Sequence, residues 1–183
     1  MSCFGLLECF NKEPKRVLIL GLDGSGKTTL TYLLKYKELI TTLPTVGFNI
    51  EELQIAKKLT VRLWDVGGHH KVRHLWTHFY MTTSGIIYMI DASTRERLKE
   101  SKDEFYHVLK HPDVKENIPV LIFTNKIDIE GSLSINEIIE YFELKEFVTN
   151  PWCVQNCSTQ TQEGVWKGIK IFSDMIKQNK HRT

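Results

Sequence analysis

Cysteine, proline and long apolar runs are all scarce in this sequence of 183 residues. None of the four cysteines forms a C-x-x-C motif and nothing indicates secretion, so we expect a reduced, cytoplasmic compartment. No apolar run approaches the roughly 20 residues that a membrane-spanning helix needs. Because the net charge is only +2, there is no general attraction to nucleic acid, and we expect no such partner.

Lipidation signals are missing at both ends of the sequence. Residue 2 is a serine instead of the glycine that N-myristoylation requires, and the last four residues hold no cysteine for prenylation. Cys3 and Cys9 could be palmitoylated, although a small cysteine on an apolar face is more often explained by packing. Without a lipid, we expect only weak, reversible or receptor-assisted contact with intracellular membranes.

The sequence divides into an N-terminal amphipathic segment, residues 1–14, and a single domain, residues 15–183. On an ideal helix the apolar residues of the segment share one arc, while Glu8 and Lys12 lie off it. Core packing and membrane contact both explain that arc, which consists of Cys3, Phe4, Leu6, Leu7 and Phe10. The length suits one domain with a core that needs no metal or disulfide.

Short apolar runs alternate with helical patterns along the domain. Strands are predicted at residues 17–20, 61–64, 86–90, 120–123 and 152–155, and a hairpin at 48–55 and 58–64 with its turn near 56–57. Helices are predicted from residue 27 to about 36 and at 95–110, 134–142 and 161–177. The pattern predicts an α/β fold, a six-stranded, mostly parallel sheet with helices on both faces. Ligands of such sheets bind beyond the carboxyl ends of the strands.

A glycine-rich segment, Gly-Leu-Asp-Gly-Ser-Gly-Lys-Thr at residues 21–28, follows the first strand and matches the phosphate-binding motif G-x-x-x-x-G-K-[ST]. Its glycines allow backbone N–H groups to point at phosphate oxygens, whereas an ordinary strand-to-helix turn is the alternative interpretation. We expect Lys27 to reach the β- and γ-phosphates and Thr28 to bind Mg²⁺. The predicted nucleotide contacts here are Gly21, Leu22, Asp23, Gly24, Ser25, Gly26, Lys27, Thr28 and Thr29.

The sequence Asn-Lys-Ile-Asp at residues 125–128, after the strand at 120–123, predicts which base is bound. Asp128 can accept two hydrogen bonds, from the N1–H and the exocyclic amine of guanine. Adenine has no donor at N1, so it would leave the carboxylate unpaired. Asn125 and Lys126 are predicted to contact the nucleotide as well, with Lys126 along the ribose and base.

A second loop for the base follows the strand predicted at 152–155. Its sequence, Asn-Cys-Ser-Thr, can offer backbone N–H groups to the guanine O6, with Cys157 and Ser158 as the predicted contacts. Together with the glycine-rich segment, the two loops predict GTP or GDP as the bound nucleotide and Mg²⁺ as its metal ion.

These motifs, together with Pro-Thr-Val-Gly-Phe-Asn at 44–49 and Trp-Asp-Val-Gly-Gly at 64–68, resemble those of the ADP-ribosylation factor and Arf-like (Arf/Arl) family. The resemblance extends over residues 15–177 and also includes Leu-Trp at 75–76 and Asp91 with Arg-Glu-Arg at 95–97. It implies the P-loop GTPase fold and a monomeric GTPase that switches between GTP and GDP in membrane trafficking.

The same resemblance implies roles for single residues of the switch. Thr45 would bind Mg²⁺ with its hydroxyl and the γ-phosphate with its N–H, and Asp65 would hold Mg²⁺ through water. The Gly68 N–H would contact the γ-phosphate, so hydrolysis would release both segments. Lys27, Thr45 and Gly68 are the catalytic residues that the resemblance implies, and His69 is a further catalytic candidate.

His69 departs from the family, which usually places a glutamine after the two glycines to orient the attacking water. A neutral imidazole also donates and accepts, with a different reach, and translational GTPases resemble this chain in using a histidine there. No arginine lies between Tyr36 and Asn49, so no arginine is supplied in cis. We expect slow hydrolysis that depends on an activating protein, and the alternative is a GTP-loaded scaffold with negligible hydrolysis.

The family resemblance also implies an exchange factor, an activating protein that supplies an arginine, and effectors that read the switches and Phe48, Trp64 and Phe79. His70, His74 and His78 recur every fourth residue and would share a face of a helix. That face suits contact with a partner better than zinc, because no cysteine or carboxylate completes a metal shell. A P-loop kinase of nucleotides or small molecules is disfavoured, since the six arginines form no lid-like cluster.

Overall fold

The computed structural model describes residues 13–179, which form one sheet of six strands with helices on both of its faces. The strands are β1 (Lys15–Leu20), β2 (Phe48–Ala56), β3 (Leu59–Val66), β4 (Gly85–Asp91), β5 (Val120–Asn125) and β6 (Trp152–Asn156). The α-helices are α1 (Lys27–Tyr36), α2 (Leu98–Leu109), α3 (Ile135–Tyr141) and α4 (Val165–Asn179). Short 3₁₀ helices span Arg73–Phe79, Arg95–Arg97 and Leu144–Glu146.

The strand order is β2-β3-β1-β4-β5-β6, and only the β2–β3 pair is antiparallel. The predicted α/β class and the mostly parallel, six-stranded sheet are therefore confirmed. Because the five strands other than β2 point the same way, the loops after β1, β3, β5 and β6 meet at one edge. The predicted amphipathic segment lies almost wholly outside the described residues.

Two apolar cores, one on each face of the sheet, hold the helices in place. Strand β1 supplies both of them, since Leu18 and Leu20 point to one side while Val17 and Ile19 point to the other. The first core also contains α2, α3 and the 3₁₀ helix Arg73–Phe79, and the second contains α1 and α4. Burial on both faces explains why the central strands read as continuous apolar runs without alternation.

Several element boundaries differ from the sequence prediction. The predicted helix 95–110 begins as a 3₁₀ turn and becomes α-helical only at Leu98. Helix α4 begins at Val165, four residues later than predicted, because Gln162 and Gly164 have left-handed φ angles of 67° and 71°. The β2–β3 turn lies at residues 57–58, one residue later than expected, with Lys58 at φ 61°.

The prediction that three histidines share a helical face is wrong. His74 and His78 lie in the 3₁₀ helix Arg73–Phe79, whereas His70 precedes it. With three residues per turn, residues four apart point in different directions. Within residues 13–179 no group of three His, Cys, Asp or Glu side chains is placed to hold a metal ion. None of the helices described there combines the length and apolar character needed to cross a bilayer.

Candidate functional site

The glycine-rich segment forms a tight loop between β1 and α1. Gly26 is the residue before the helix, with a left-handed φ of 98°, and it provides no side-chain cap for the first turn of α1. The N–H groups of that turn therefore have no intrahelical partner and are available to an anion. A β-carbon on Gly26 would lie 2.2 Å from Asn125 Nδ2, so only glycine fits between this loop and the loop after β5.

Lys27, the first residue of α1, is buried against this loop. Its Nζ donates to the Leu22 carbonyl at 2.7 Å, and the Ser25 hydroxyl donates to the same oxygen at 2.8 Å. Burial lowers the pKa of Lys27 to about 8, although the charges of Asp65 and Asp23 oppose this shift. A bound phosphate would add negative charge beside the ammonium group and raise that pKa again.

Three oxygen-bearing side chains meet beside the loop although they come from distant parts of the sequence. The Thr28 hydroxyl lies 2.6 Å from the Thr45 hydroxyl and donates to Asp65 Oδ2 at 2.7 Å. Thr45 donates to the same carboxylate oxygen at 3.5 Å and Asn49 Nδ2 at 3.3 Å. All three residues predicted to act at the metal, Thr28, Thr45 and Asp65, are thus brought together.

The donor set suits a hard divalent cation. Carboxylate and hydroxyl oxygens are the ligands that Mg²⁺ prefers, and the second oxygen of Asp65, Oδ1, is buried without a hydrogen-bond partner among residues 13–179. Burial also raises the pKa of Asp65, and the hydrogen bond from Thr28 and the charge of Lys27 offset part of that rise. A buried carboxylate with an unpaired oxygen is stabilised by a cation, so these residues fit Mg²⁺.

The two glycines after β3 join the segment around Thr45 to the phosphate loop. The Gly67 N–H donates to the Gly47 carbonyl at 2.8 Å, and the Asp23 N–H donates to the Gly68 carbonyl at 3.2 Å. A β-carbon on Gly68 would lie only 2.3 Å from the Gly21 carbonyl oxygen. This close approach places the Gly68 backbone directly against the loop that is predicted to hold phosphates.

The Asn125 side chain connects loops of the site, and its amide forms hydrogen bonds with other residues of the same chain. Its Nδ2 donates to the Ser25 carbonyl at 2.9 Å and to the Thr159 hydroxyl at 3.2 Å, and its Oδ1 accepts from the Thr159 N–H at 2.9 Å. The side chain is fully buried. Asn125 therefore ties the loops after β1, β5 and β6 together, and direct contact with a nucleotide stays a prediction.

The loop after β6 differs from its predicted arrangement. The N–H of Cys157 donates to the Thr124 carbonyl at 2.9 Å, and that of Ser158 donates to the Glu163 carbonyl at 3.0 Å. These two donors, predicted to face the guanine O6, are therefore committed to protein acceptors, that of Cys157 on β5 and that of Ser158 within the loop before α4. A contact with the base would require the bond between Ser158 and Glu163 to open.

Lys126 and Asp128 are the other two residues of the predicted guanine motif. Lys126 Nζ pairs with Asp91 Oδ2 at 2.6 Å, and Asp91 also accepts from the N–H and hydroxyl of Ser93. Although burial opposes it, hydrogen bonds from Lys126 and Ser93 hold the pKa of Asp91 below its usual value. Asp128 is exposed, and its charge helps to raise the pKa of the Cys157 thiol, after the larger effect of burial.

His69 is exposed and bonded within its own turn. Its Nδ1 accepts from the Lys71 N–H at 3.4 Å, and its ring lies 4.2 Å from that of His70. With Nδ1 used as an acceptor, the neutral ring presents only an N–H at Nε2. That group can donate to water but cannot accept from it, so this geometry does not support the predicted catalytic role of His69.

Phe48, Trp64 and Phe79 form the aromatic cluster that the family resemblance implied. Their ring centroids are 5.6 Å apart for Phe48 and Trp64, 5.1 Å for Phe48 and Phe79, and 5.3 Å for Trp64 and Phe79. Phe48 remains 47% exposed, so the cluster presents an apolar surface close to the segments that contain Thr45 and Gly68.

Two residues with clear positions in the site were quoted in the sequence motifs without a role. Asn49 supports the Asp65 carboxylate, and Asp91 holds Lys126. Asn49 lies directly opposite Asp65 in the β2–β3 pair, but that register depends on an irregularity between Gln54 and Ala56 that the sequence pattern does not reveal. Asp91 ends β4 beside Asn125, a pairing that could have been predicted from adjacent parallel strands.

This sheet, with a phosphate loop between β1 and α1 and polar loops at the carboxyl ends of β3, β5 and β6, defines a P-loop nucleotide-binding protein. The sequence model of the ADP-ribosylation factor family matches residues 2–176. The chain therefore belongs to the ADP-ribosylation factor family of small GTPases.

The similarity of this chain to individual proteins supports the family assignment. ADP-ribosylation factor-like protein 14 of Mus musculus is 41% identical over 177 residues, which cover 94% of this chain and 92% of that protein. ADP-ribosylation factor J of Dictyostelium discoideum is 38% identical over 175 residues, covering 96% and 91%. The structure of the Arl6 BBS3 small GTPase from Trypanosoma brucei with bound GppNp superposes with a TM-score of 0.83 at 28% identity, covering 90% of this chain and 98% of that one.

Proposed function

We propose that this protein is a guanine-nucleotide-dependent switch that binds GTP or GDP with Mg²⁺, hydrolyses GTP slowly and recruits effectors in membrane trafficking. One observation carries the proposal, the meeting of Thr28, Thr45 and Asp65 beside the phosphate loop. Thr45 belongs to the segment between α1 and β2, so its position there depends on what the metal and phosphate site holds. A ligand that contacts Thr45 in one nucleotide state only would bias the whole segment.

The predicted roles divide between binding and sensing. The N–H groups of the phosphate loop and the Lys27 ammonium group hold the phosphates, and the Gly68 N–H and Thr45 detect the terminal one. Mg²⁺, when bound, neutralises charge on the phosphate oxygens. At the other end of the site Asp128 accepts from guanine, while Lys126, oriented by Asp91, lies along the nucleoside.

Nucleotide selectivity is the direct test of this proposal. With Mg²⁺ present, GTP and GDP are expected to bind and to raise the melting temperature, because both carry the donors that Asp128 recognises. ATP is expected to bind at least about a hundredfold more weakly, since adenine leaves that carboxylate unpaired. Titration calorimetry and thermal unfolding with the three nucleotides measure both effects. Equal heats for ATP and GTP, or none for any of them, would contradict the proposal.

Two features of the chain support slow hydrolysis. His69 is placed as a donor only, and no arginine lies between Tyr36 and Asn49. An arginine that stabilises the transition state is worth on the order of 10³–10⁵ in rate, so an activating protein is needed to supply it. The bond between His69 and Lys71 also favours the second candidate function, a GTP-loaded scaffold with negligible hydrolysis.

Replacing His69 tests whether this residue takes part in hydrolysis. His69→Gln is expected to raise single-turnover GTP hydrolysis by at least about tenfold, because a glutamine amide both donates to the attacking water and accepts from it. His69→Ala is expected to hydrolyse GTP as slowly as the wild type, and His70→Ala, which changes the exposed neighbour, is the control. An alanine variant several-fold slower than the wild type would show that the histidine takes part in catalysis.

The surface beside the switch segments supports the proposed partners. The aromatic cluster of Phe48, Trp64 and Phe79 adjoins a stretch of exposed apolar side chains in residues 39–50. These side chains are Leu39, Ile40, Leu43, Val46, Phe48 and Ile50. Exposed apolar side chains of this kind are typical of a site of protein interaction, so we assign effectors and the exchange factor to them.

Reversible association with intracellular membranes is part of the proposal and depends on residues 1–14. The apolar arc of that segment suits the surface of a bilayer. We expect this contact to be weak and reversible.

A further inference from the structure

Two side chains of the 3₁₀ helix Arg73–Phe79 donate to the glycine pair that follows β3. The indole Nε1 of Trp76 donates to the Gly67 carbonyl at 2.8 Å. The Nε of Arg73 donates to the Gly68 carbonyl at 2.6 Å, and the same carbonyl accepts from the Asp23 N–H. The peptide units on both sides of the Gly68 α-carbon are therefore held by side chains that sequence reasoning left without a role in the site.

Holding a carbonyl also aims the N–H of the next residue. The peptide bond is planar and trans, so the Gly67 carbonyl and the Gly68 N–H lie on opposite sides of one rigid unit. With the carbonyl directed at Trp76, the Gly68 N–H must point the opposite way. Among residues 13–179 that N–H donates to no protein acceptor, and the Gly68 α-carbon lies against Gly21 of the phosphate loop.

Burial and ion pairs hold the side chains of Trp76 and Arg73 in place. Trp76 is only 1% exposed and belongs to the core between the sheet and α2. The Arg73 guanidinium is buried as well, and it pairs with Glu100 at 2.7 Å and Glu104 at 3.0 Å on α2. A planar group fixed by two carboxylates cannot leave the Gly68 carbonyl without breaking charge-assisted hydrogen bonds.

We propose that Trp76 and Arg73 are positioning residues that aim the Gly68 N–H at the terminal phosphate and so set the preference for GTP over GDP. The inference rests on the proposed switch function, in which this N–H detects the γ-phosphate. GDP has no γ-phosphate and makes no contact there, so a disoriented Gly68 weakens binding of the triphosphate alone.

The change Trp76→Phe tests this selectivity. Phenylalanine keeps an aromatic ring in the core but removes the N–H that holds the Gly67 carbonyl. The dissociation constant for GppNp, a non-hydrolysable GTP analogue, is expected to rise about tenfold, while that for GDP stays within about twofold. The ratio of the two constants is the readout, because general loosening of the fold would weaken both nucleotides together.

A matched control exists at Trp152, whose Nε1 donates to the Phe147 carbonyl at 3.0 Å, far from the phosphate loop. Trp152→Phe removes the same type of bond and is expected to leave the ratio unchanged. Arg73→Lys, which keeps the positive charge near Glu100 and Glu104 but loses the planar donor, is expected to raise the ratio as Trp76→Phe does.

The outcomes separate the inference from the function on which it rests. If Trp76→Phe leaves both constants unchanged, or raises them equally, Trp76 has no positioning role. If the wild-type protein binds neither nucleotide, the proposed function itself fails. Selective loss of GppNp in both Trp76→Phe and Arg73→Lys, with Trp152→Phe unaffected, supports the inference.

Discussion

Replacing Gly26 by alanine is expected to weaken the binding of both GTP and GDP by about a hundredfold or more. Gly26 has a φ of 98°, and its new β-carbon would lie 2.2 Å from Asn125 Nδ2. The left-handed backbone costs about 1–2 kcal/mol for an alanine and the overlap about 1–3 kcal/mol, so the free protein relaxes to another loop conformation. Binding must then restore the strained loop, and the strain becomes lost affinity.

Because Asn125 connects several loops, we expect the loss of nucleotide affinity in Gly26→Ala to exceed the loss that backbone strain at residue 26 alone would cause. It joins the Ser25 carbonyl to Thr159, so moving it disturbs the loops that approach the phosphates and the base together. Titration calorimetry with GDP measures the loss. Gly131→Ala is the matched control, because Gly131 has a φ of 79° but nothing within 4 Å of its new β-carbon. Comparable losses in the two variants would show that the contact with Asn125 is not the cause.

Replacing Asp128 by alanine is expected to lower the affinity for GTP and GDP by on the order of 10²–10⁴-fold. Two hydrogen bonds to a charged acceptor are lost, at roughly 1.5–3 kcal/mol each. Discrimination against ATP is expected to disappear at the same time, because it rests on that carboxylate. Competition binding with GTP, GDP and ATP measures both changes.

Stability is the internal control for this variant. Asp128 is exposed, so its loss should change the free energy of unfolding by no more than about 0.5 kcal/mol. Asp174→Ala removes another exposed carboxylate, on α4, and is expected to leave nucleotide affinity unchanged. If Asp128→Ala binds GTP as tightly as the wild type, the base is recognised by other groups.

The chemistry of the site was predictable to the extent that it depends on short motifs. Gly26, Lys27 and Thr28 are adjacent in sequence, so the strand–loop–helix pattern alone places them together. The start of α1 at Lys27 was predicted for the same reason. Asp128 likewise follows from its position after a buried strand.

Contacts that depend on strand register or on how a loop turns were not predictable in this way. That Asn49 would support Asp65 depends on a strand register set by an irregularity near Gln54. The closing bond between Ser158 and Glu163 depends on how the chain turns before α4. His69 provides a similar case, because its residue type permits catalysis but the sequence does not reveal that its Nδ1 accepts from the Lys71 N–H.

The sequence by itself determined the fold class and the family and predicted a set of residues for the nucleotide, because periodicity and short motifs act over a few residues and tolerate variation elsewhere. Only the tertiary structure decided how the groups are aimed. Trp76 holds Gly67 and Arg73 holds Gly68 through hydrogen bonds from the 3₁₀ helix that follows them, and Asn125 joins loops that lie far apart in the chain. Such bonds need distances and angles defined to a fraction of an ångström, and those arise only when both cores pack against the sheet.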